Sequence, residues 1–159
     1  MIAEIARDFA QVTRQDGVSW SEALVIDNYG SEEECAAARA SDKDKHWAEL
    51  VDDEAWDADQ GYGGFSFLDA IGFRYYLPAA MTRCIRTGED GTIRIHLSRA
   101  HDGISDWRYS TLGLLDGNQR RCVARFLALM VDISRQEHDV PLFAQWWQET
   151  LDNYWHQFL

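Results

Sequence analysis

At 159 residues, 46% of them hydrophobic and 13% aromatic, the chain is long enough to bury a core without help from metals or disulfides. Its formal charge of −12 is uneven: −11 over residues 1–60, +3 over 61–125 and −4 over 126–159, and all nine basic residues of the middle stretch are arginine. Such a surface repels nucleic acid, whose phosphates need clustered Lys and Arg, and no run approaches the ~20 apolar residues that span a bilayer, so neither a nucleic acid nor a membrane is an expected partner.

The opening MIAEIARDFAQVTRQ carries acids inside its apolar stretch and no basic leader, which argues against a signal peptide. Ile2, Ile5, Ala6, Phe9 and Val12 lie on one helical stripe that Gly17 ends. Ser19 and Glu22 fit a capping box for a short helix through Ala23, Leu24 and Ile26. Ser31 caps the next, with Glu32, Glu33 and Glu34 set against the positive end of its dipole. DKDKHWAELV predicts another helix, with Trp47, Leu50 and Val51 inward. The acid- and glycine-rich DDEAWDADQGYGG, residues 52–64, is the expected mobile stretch.

Ser66 and Asp69 repeat the capping pattern ahead of FLDAIGFRYY. Leu77 precedes a proline and is biased out of helix, so Pro78 is expected to start a new helix, PAAMTRCIR, that ends at Gly88. On this reading GFRYYLPAAM, residues 72–81, is a corner plugged by Phe73, Tyr76, Leu77 and Met81, which leaves Arg74 and Tyr75 without a structural duty. GTIRIHLS alternates Ile93, Ile95 and Leu97 with polar residues and reads as a strand, pairing with 107–113 in one short β-hairpin near 91–113. Asp116 and Gln119 form a capping box for a helix carrying Cys122, Val123, Phe126, Leu127, Met130 and Val131 on one face. Pro141 opens the last helix, whose stripe from Leu142 to Phe158 is wider than a surface helix needs. The expected fold class is mainly α, a single compact helical domain over residues 1–159.

Chemistry is sparse. The five histidines, His46, His96, His101, His138 and His156, show no i, i+4 zinc pair, and there is no Cys-x-x-Cys. Counted from Asp57, position 12 of a calcium loop would be Leu68 rather than glutamate. There is no Gly-x-Ser-x-Gly elbow and no phosphate loop. Cys84 and Cys122 sit on apolar stripes, where a buried inert thiol is the default, and with Cys35 they fit a reducing cytoplasm. No catalytic residue, metal ligand or cofactor is expected. One signal stands out: Arg74, Arg83, Arg86, Arg94, Arg99 and Arg108 share a stretch with Tyr75, Tyr76 and Trp107. Arginine's planar fork suits carboxylates and stacks on aromatic faces, so Arg74, Tyr75, Trp107 and Arg108 are the candidate binding residues. The competing reading pairs these arginines with the acidic N-terminal half.

Three segments, SEEECAAARASDKDKHWAEL (31–50), FSFLDAIGFRYYLPAAM (65–81) and LLDGNQRRCVARFLALM (114–130), resemble a family of small acidic bacterial proteins known as a domain of unknown function. The resemblance centres on RYYLPA, covers roughly residues 20–135 and leaves out the aromatic helix at 141–159. It implies no catalytic residues, and it implies a bacterial, cytoplasmic protein without a cofactor.

Three functional readings remain. The leading one is a non-catalytic intracellular factor that binds a basic protein, in the manner of an immunity or antitoxin protein, because acidic inhibitors gain fast association from charge. The second is a small-molecule-binding domain or small enzyme, with Arg74, Tyr75, Tyr76, His96 and His101 lining a pocket. The third is a homodimerising structural domain that uses Trp146, Trp147 and Trp155.

Overall fold

Four of the helices begin where a short polar side chain accepts from a free main-chain N–H. In the computed structural model, which describes residues 1–58, 63–88, 92–98, 111–136 and 141–159, Ser19 caps helix α2 (Trp20–Asp27) and Ser31 caps α3 (Glu32–Ser41). Both are complete capping boxes, closed by Glu22 and Glu34. Asp116 and Gln119 make the same reciprocal pair at α6 (Gly117–Gln136): Gln119 N–H donates to Asp116 Oδ1 at 2.9 Å, and Asp116 N–H donates to Gln119 Oε1 at 3.2 Å. At α4 (Ala70–Thr87) the cap is Asp69 itself, accepting from Gly72 N–H at 2.8 Å; Ser66 lies in a separate 3-10 turn, Gly64–Ser66. The first helix, α1 (Ile2–Asp8), stops well short of Gly17; of the expected stripe Ile5, Phe9 and Val12 are buried, whereas Ile2 and Ala6 are exposed. DKDK is not helical, and only Trp47–Val51 forms a 3-10 turn there.

The expected corner at Pro78 is absent. Helix α4 runs unbroken through Pro78 to Gly88, which takes the left-handed conformation (φ +78°) and returns its N–H to Cys84 O at 2.9 Å. Proline removes one ladder donor and costs helix stability. Here packing outweighs that cost, because every residue from Tyr75 to Thr82 is buried. A helix apolar on all sides belongs inside a protein. Thr82 Oγ1 donates to Pro78 O at 2.8 Å, adding a side-chain bond within the same turn.

The expected strand at 91–98 is also corrected. Ile93–Ser98 is a short helix, α5, in which Ile93 and Leu97 face the core at i, i+4 while Ile95 is 39% exposed. The outer pair, four apart, fits either period, and Ile95, about 200° round a helix from Ile93, falls on its opposite face. Most of the hairpin's other leg, 107–110, lies outside the described residues.

Helix α6 packs chiefly on α7 (Pro141–Asn153), with Phe126 edge-on to Trp147 at 5.8 Å. A final 3-10 turn, Trp155–Phe158, folds back on both, and Trp155 Nε1 donates to Leu97 O at 3.0 Å. Trp47 Nε1 likewise donates to Phe9 O at 2.9 Å, joining the 3-10 turn to the end of α1. Among the described residues no helix is long and apolar enough to cross a membrane.

Candidate functional site

The N-terminus of α2, the loop after α3 and the 3-10 turn Trp47–Val51 converge on a cleft of about 420 Å³. Its acidic wall is Asp42, Asp44, Glu49 and Asp53, with Lys43 among them; its aromatic wall is Trp20 and Trp56. The sequence builds each part locally. Ser19 starts α2 and so fixes Trp20 and Ser21 in its first turn, while Asp42 is the C-terminal cap of α3. Asp42 crosses to α2, where its Oδ1 accepts from Ser21 Oγ at 2.6 Å and its Oδ2 from Ser21 N–H at 3.0 Å. That carboxylate sits where the α2 dipole favours negative charge. The bond also locks the loop to the helix.

Behind the acidic wall lies α4. Tyr75 Oη donates to Asp44 Oδ2 at 2.7 Å, and Tyr76 Oη accepts from Trp20 N–H at 3.0 Å. Both phenols are held well above their ordinary ionisation range, mainly by burial and then by Asp44, through its hydrogen bond at Tyr75 and its charge at Tyr76, so both stay protonated. The Trp20 ring is packed by Trp56 at 5.2 Å, Phe65 at 5.3 Å and Tyr76 at 5.1 Å.

Three buried side-chain polar atoms have no hydrogen-bond partner among the described residues: Arg14 Nη1, Trp20 Nε1 and Trp56 Nε1. Two belong to the aromatic wall of the cleft. The third belongs to an arginine 3.8 Å from both Asp42 Oδ2 and Asp44 Oδ2, beyond good hydrogen-bond range. All three are donors. Unpaired buried donors are rare in folded proteins, and these three lie in or beside the walls of the cleft, each closed off from solvent.

Of the four candidate residues read from the sequence, the two that are described, Arg74 and Tyr75, engage different partners. Tyr75 is fully buried and engaged with Asp44. Arg74, one step round the helix, points away and donates from Nε to Gln119 Oε1 at 2.9 Å. Trp107 and Arg108 lie outside the described residues, as do His101 and Arg99. His96 packs against the rings of Phe65 and Phe73, at 5.8 and 6.3 Å. Other arginines of the cluster engage the acidic half: Arg83 donates to the carbonyls of Asp53 and Trp56, and Arg86 pairs with Asp52 at the surface. Arg94 instead covers the Trp146 ring at 4.7 Å. The three tryptophans do not share an exposed face either, because Trp147 and Trp155 are core residues and only Trp146 is partly exposed.

Sequence reasoning missed Asp42, Asp44, Trp20 and Trp56. The local signal was there in SDKDKHW, a doublet of acids directly after a helix end, but nothing in the pattern marks those two among sixteen N-terminal acids. No group of three His, Cys, Asp or Glu among the described residues is arranged to hold a metal ion. Neither the curated proteins nor the solved structures include a match. One family profile does match, and it takes in residues 1–158, including the aromatic C-terminal helix that the partial resemblance left out. With that coverage, the chain belongs to DUF6714, a family of unknown function.

Proposed function

We propose that this protein is a non-catalytic binding factor that recognises a basic protein partner, as an immunity or antitoxin protein does. The observation that carries the reading is the placement of the N-terminal acids. Glu32, Glu33, Glu34, Glu49, Asp52, Asp53, Glu54 and Asp57 are all exposed, on and just beyond the elements that frame the cleft. A field of one sign raises the association rate of an oppositely charged partner and falls steeply with ionic strength. The engagement of Arg83 and Arg86 with the acidic half also favours this reading over an arginine-lined pocket, since it withdraws two of the cations on which such a pocket would draw.

The test is affinity capture from the source cells at about 50 mM and about 500 mM salt, with mass spectrometry of what is retained. A basic protein held at low salt and released at high salt is the expected result. Capture of only acidic or neutral proteins, or of nothing above background at low salt, overturns the proposal.

A further inference from the structure

We infer that Tyr29 is an anchor residue for the basic partner, its ring presented on a rigid turn for burial in a recess of that protein's surface. This rests on the protein-binding reading above and adds to it a point of contact, at the far end of α2 from the cleft.

The turn between α2 and α3 closes as many helix ends do. Gly30 N–H donates to Val25 O at 2.9 Å and Tyr29 N–H to Ile26 O at 3.0 Å, the paired bonds of a Schellman motif. Such a motif needs one left-handed residue, and glycine is its usual occupant. Here the occupant is Tyr29, at φ +58°. The left-handed region strains a residue with a Cβ, and tyrosine lacks the short polar side chain by which asparagine eases it. The glycine that follows is no substitute, because position 30 needs its own: a Cβ there would lie 2.3 Å from Val25 Cγ1.

Nothing inside the chain offsets that strain. Tyr29 is 97% exposed, so its ring packs on no neighbour. Glycine at this position would fit the turn better and expose no apolar ring. The fold does not account for a tyrosine here, whereas an interface does. Tyrosine joins a large apolar face to a hydroxyl and has few rotamers to freeze, which makes it a frequent hot-spot residue. The backbone beneath it is already fixed: Asn28 Nδ2 donates to Leu24 O at 2.9 Å, and Ser31 caps α3 just beyond. Binding then has only the ring left to order. Exposed Glu32 and Glu33 follow in the first turn of α3, so the recess that fits has a cationic rim, and a Lys or Arg there can also lie over the ring.

The other non-glycine residue at positive φ among the described residues is Gln15, at +50° and exposed, in the turn before α2. Its polar side chain costs nothing to leave in water, so it implies no partner and serves as the control.

The unmodified chain, Tyr29→Gly, Tyr29→Phe and Gln15→Gly are immobilised at equal loading and exposed to a lysate of the source cells at about 50 mM salt. The retained basic protein is quantified by mass spectrometry, and each chain is followed by thermal melts and light scattering. Tyr29→Gly is expected to melt at or above the temperature of the unmodified chain, because strain is relieved, yet to retain about a tenth or less of the basic protein. Tyr29→Phe should retain about half or more, and Gln15→Gly should stay within about twofold of the unmodified chain.

Equal retention by Tyr29→Gly and the unmodified chain overturns the inference and leaves the protein-binding reading standing. A melting temperature several degrees lower for Tyr29→Gly also overturns it, since the ring would then support the fold. So does a dimer of the unmodified chain that Tyr29→Gly breaks, which makes a second copy the occupant. If the unmodified chain retains no basic protein, the reading and the inference fail together.

Discussion

Tyr75 and Asp44 meet at 2.7 Å, hydroxyl to carboxylate, across 31 residues of chain. That bond anchors the loop carrying Asp42 and Asp44 to the most deeply buried helix. Its consequences are measurable at high pH. A phenol whose folded pKa is raised gives stability that is complete below its unfolded value, 10.0, and is lost as pH rises beyond it. Tyr76 contributes with the same sign. The unfolding free energy should therefore fall from about pH 10 upward, by up to about 1.4 kcal/mol per pH unit for each phenol, and the melting temperature with it. Tyr75→Phe should cost about 1–2 kcal/mol at pH 7 and make the alkaline decline shallower. Equal slopes for the two proteins between about pH 10 and 11.5 would mean that the Tyr75 phenol ionises in the folded state.

Arg74 is expected to be a structural residue. Its partner Gln119 also accepts from Asp116 N–H and donates from Nε2 to Asp8 O at 3.2 Å, so one amide joins α1, α4 and α6. Arg74→Ala should lower stability by about 1 kcal/mol in urea with an unchanged m-value, and leave capture of the basic partner at low salt undiminished. A folded variant of unchanged stability that no longer binds would return Arg74 to the site.

Gly72 occupies the closest approach between α4 and the segment before α2. A Cβ there would lie 2.4 Å from Val18 O, while Val18 N–H is held by Asp69 Oδ1 at 3.0 Å. The backbone cannot yield without breaking that bond. Gly72→Ala should destabilise by about 2–3 kcal/mol, whereas the same change at Gly117, with open space around it, should be tolerated. Similar urea midpoints for the two variants would contradict the packing described.

The thiols should separate by burial. Cys35 is partly exposed, Cys84 and Cys122 are buried, and burial pushes the Cys122 thiol up to about 12. A thiol reagent at pH 8 should label Cys35 promptly and the other two only on unfolding, because the thiolate is the reactive form. Fast labelling of all three in the folded protein would show that the α4–α6 packing opens readily.

Helix starts were legible in the sequence because a capping box is a local device: Ser19, Ser31 and Asp116 act within three residues of themselves. The apolar face of α6 was legible for the same reason, being read against one helix's own period. Pro78 and Ile93–Ser98 were misread because tertiary burial set their conformation. Pro78 is carried through by packing on every side of α4, and Ile95 is turned outward although its residue type suggests the reverse. The cleft was the least legible part. Trp20, the Asp42–Asp44 doublet and Trp56 come from three separate stretches, and crossing bonds such as those to Ser21 and Tyr75 bring their walls together.

The Gln119 junction also sets the order of events on the ribosome. Its bond to Asp8 spans 111 residues, and the pair Arg125–Glu4 spans 121. At about 5–20 residues per second, α1 waits roughly 5–25 s for the helix it packs against. During that interval Ile5 and Phe9, which end fully buried, have no native cover from α6. The early helices are strongly acidic, and mutual repulsion between nascent chains would keep those apolar side chains from finding one another first. The charge read above as a lure for a partner thus has a second use, as a safeguard during synthesis.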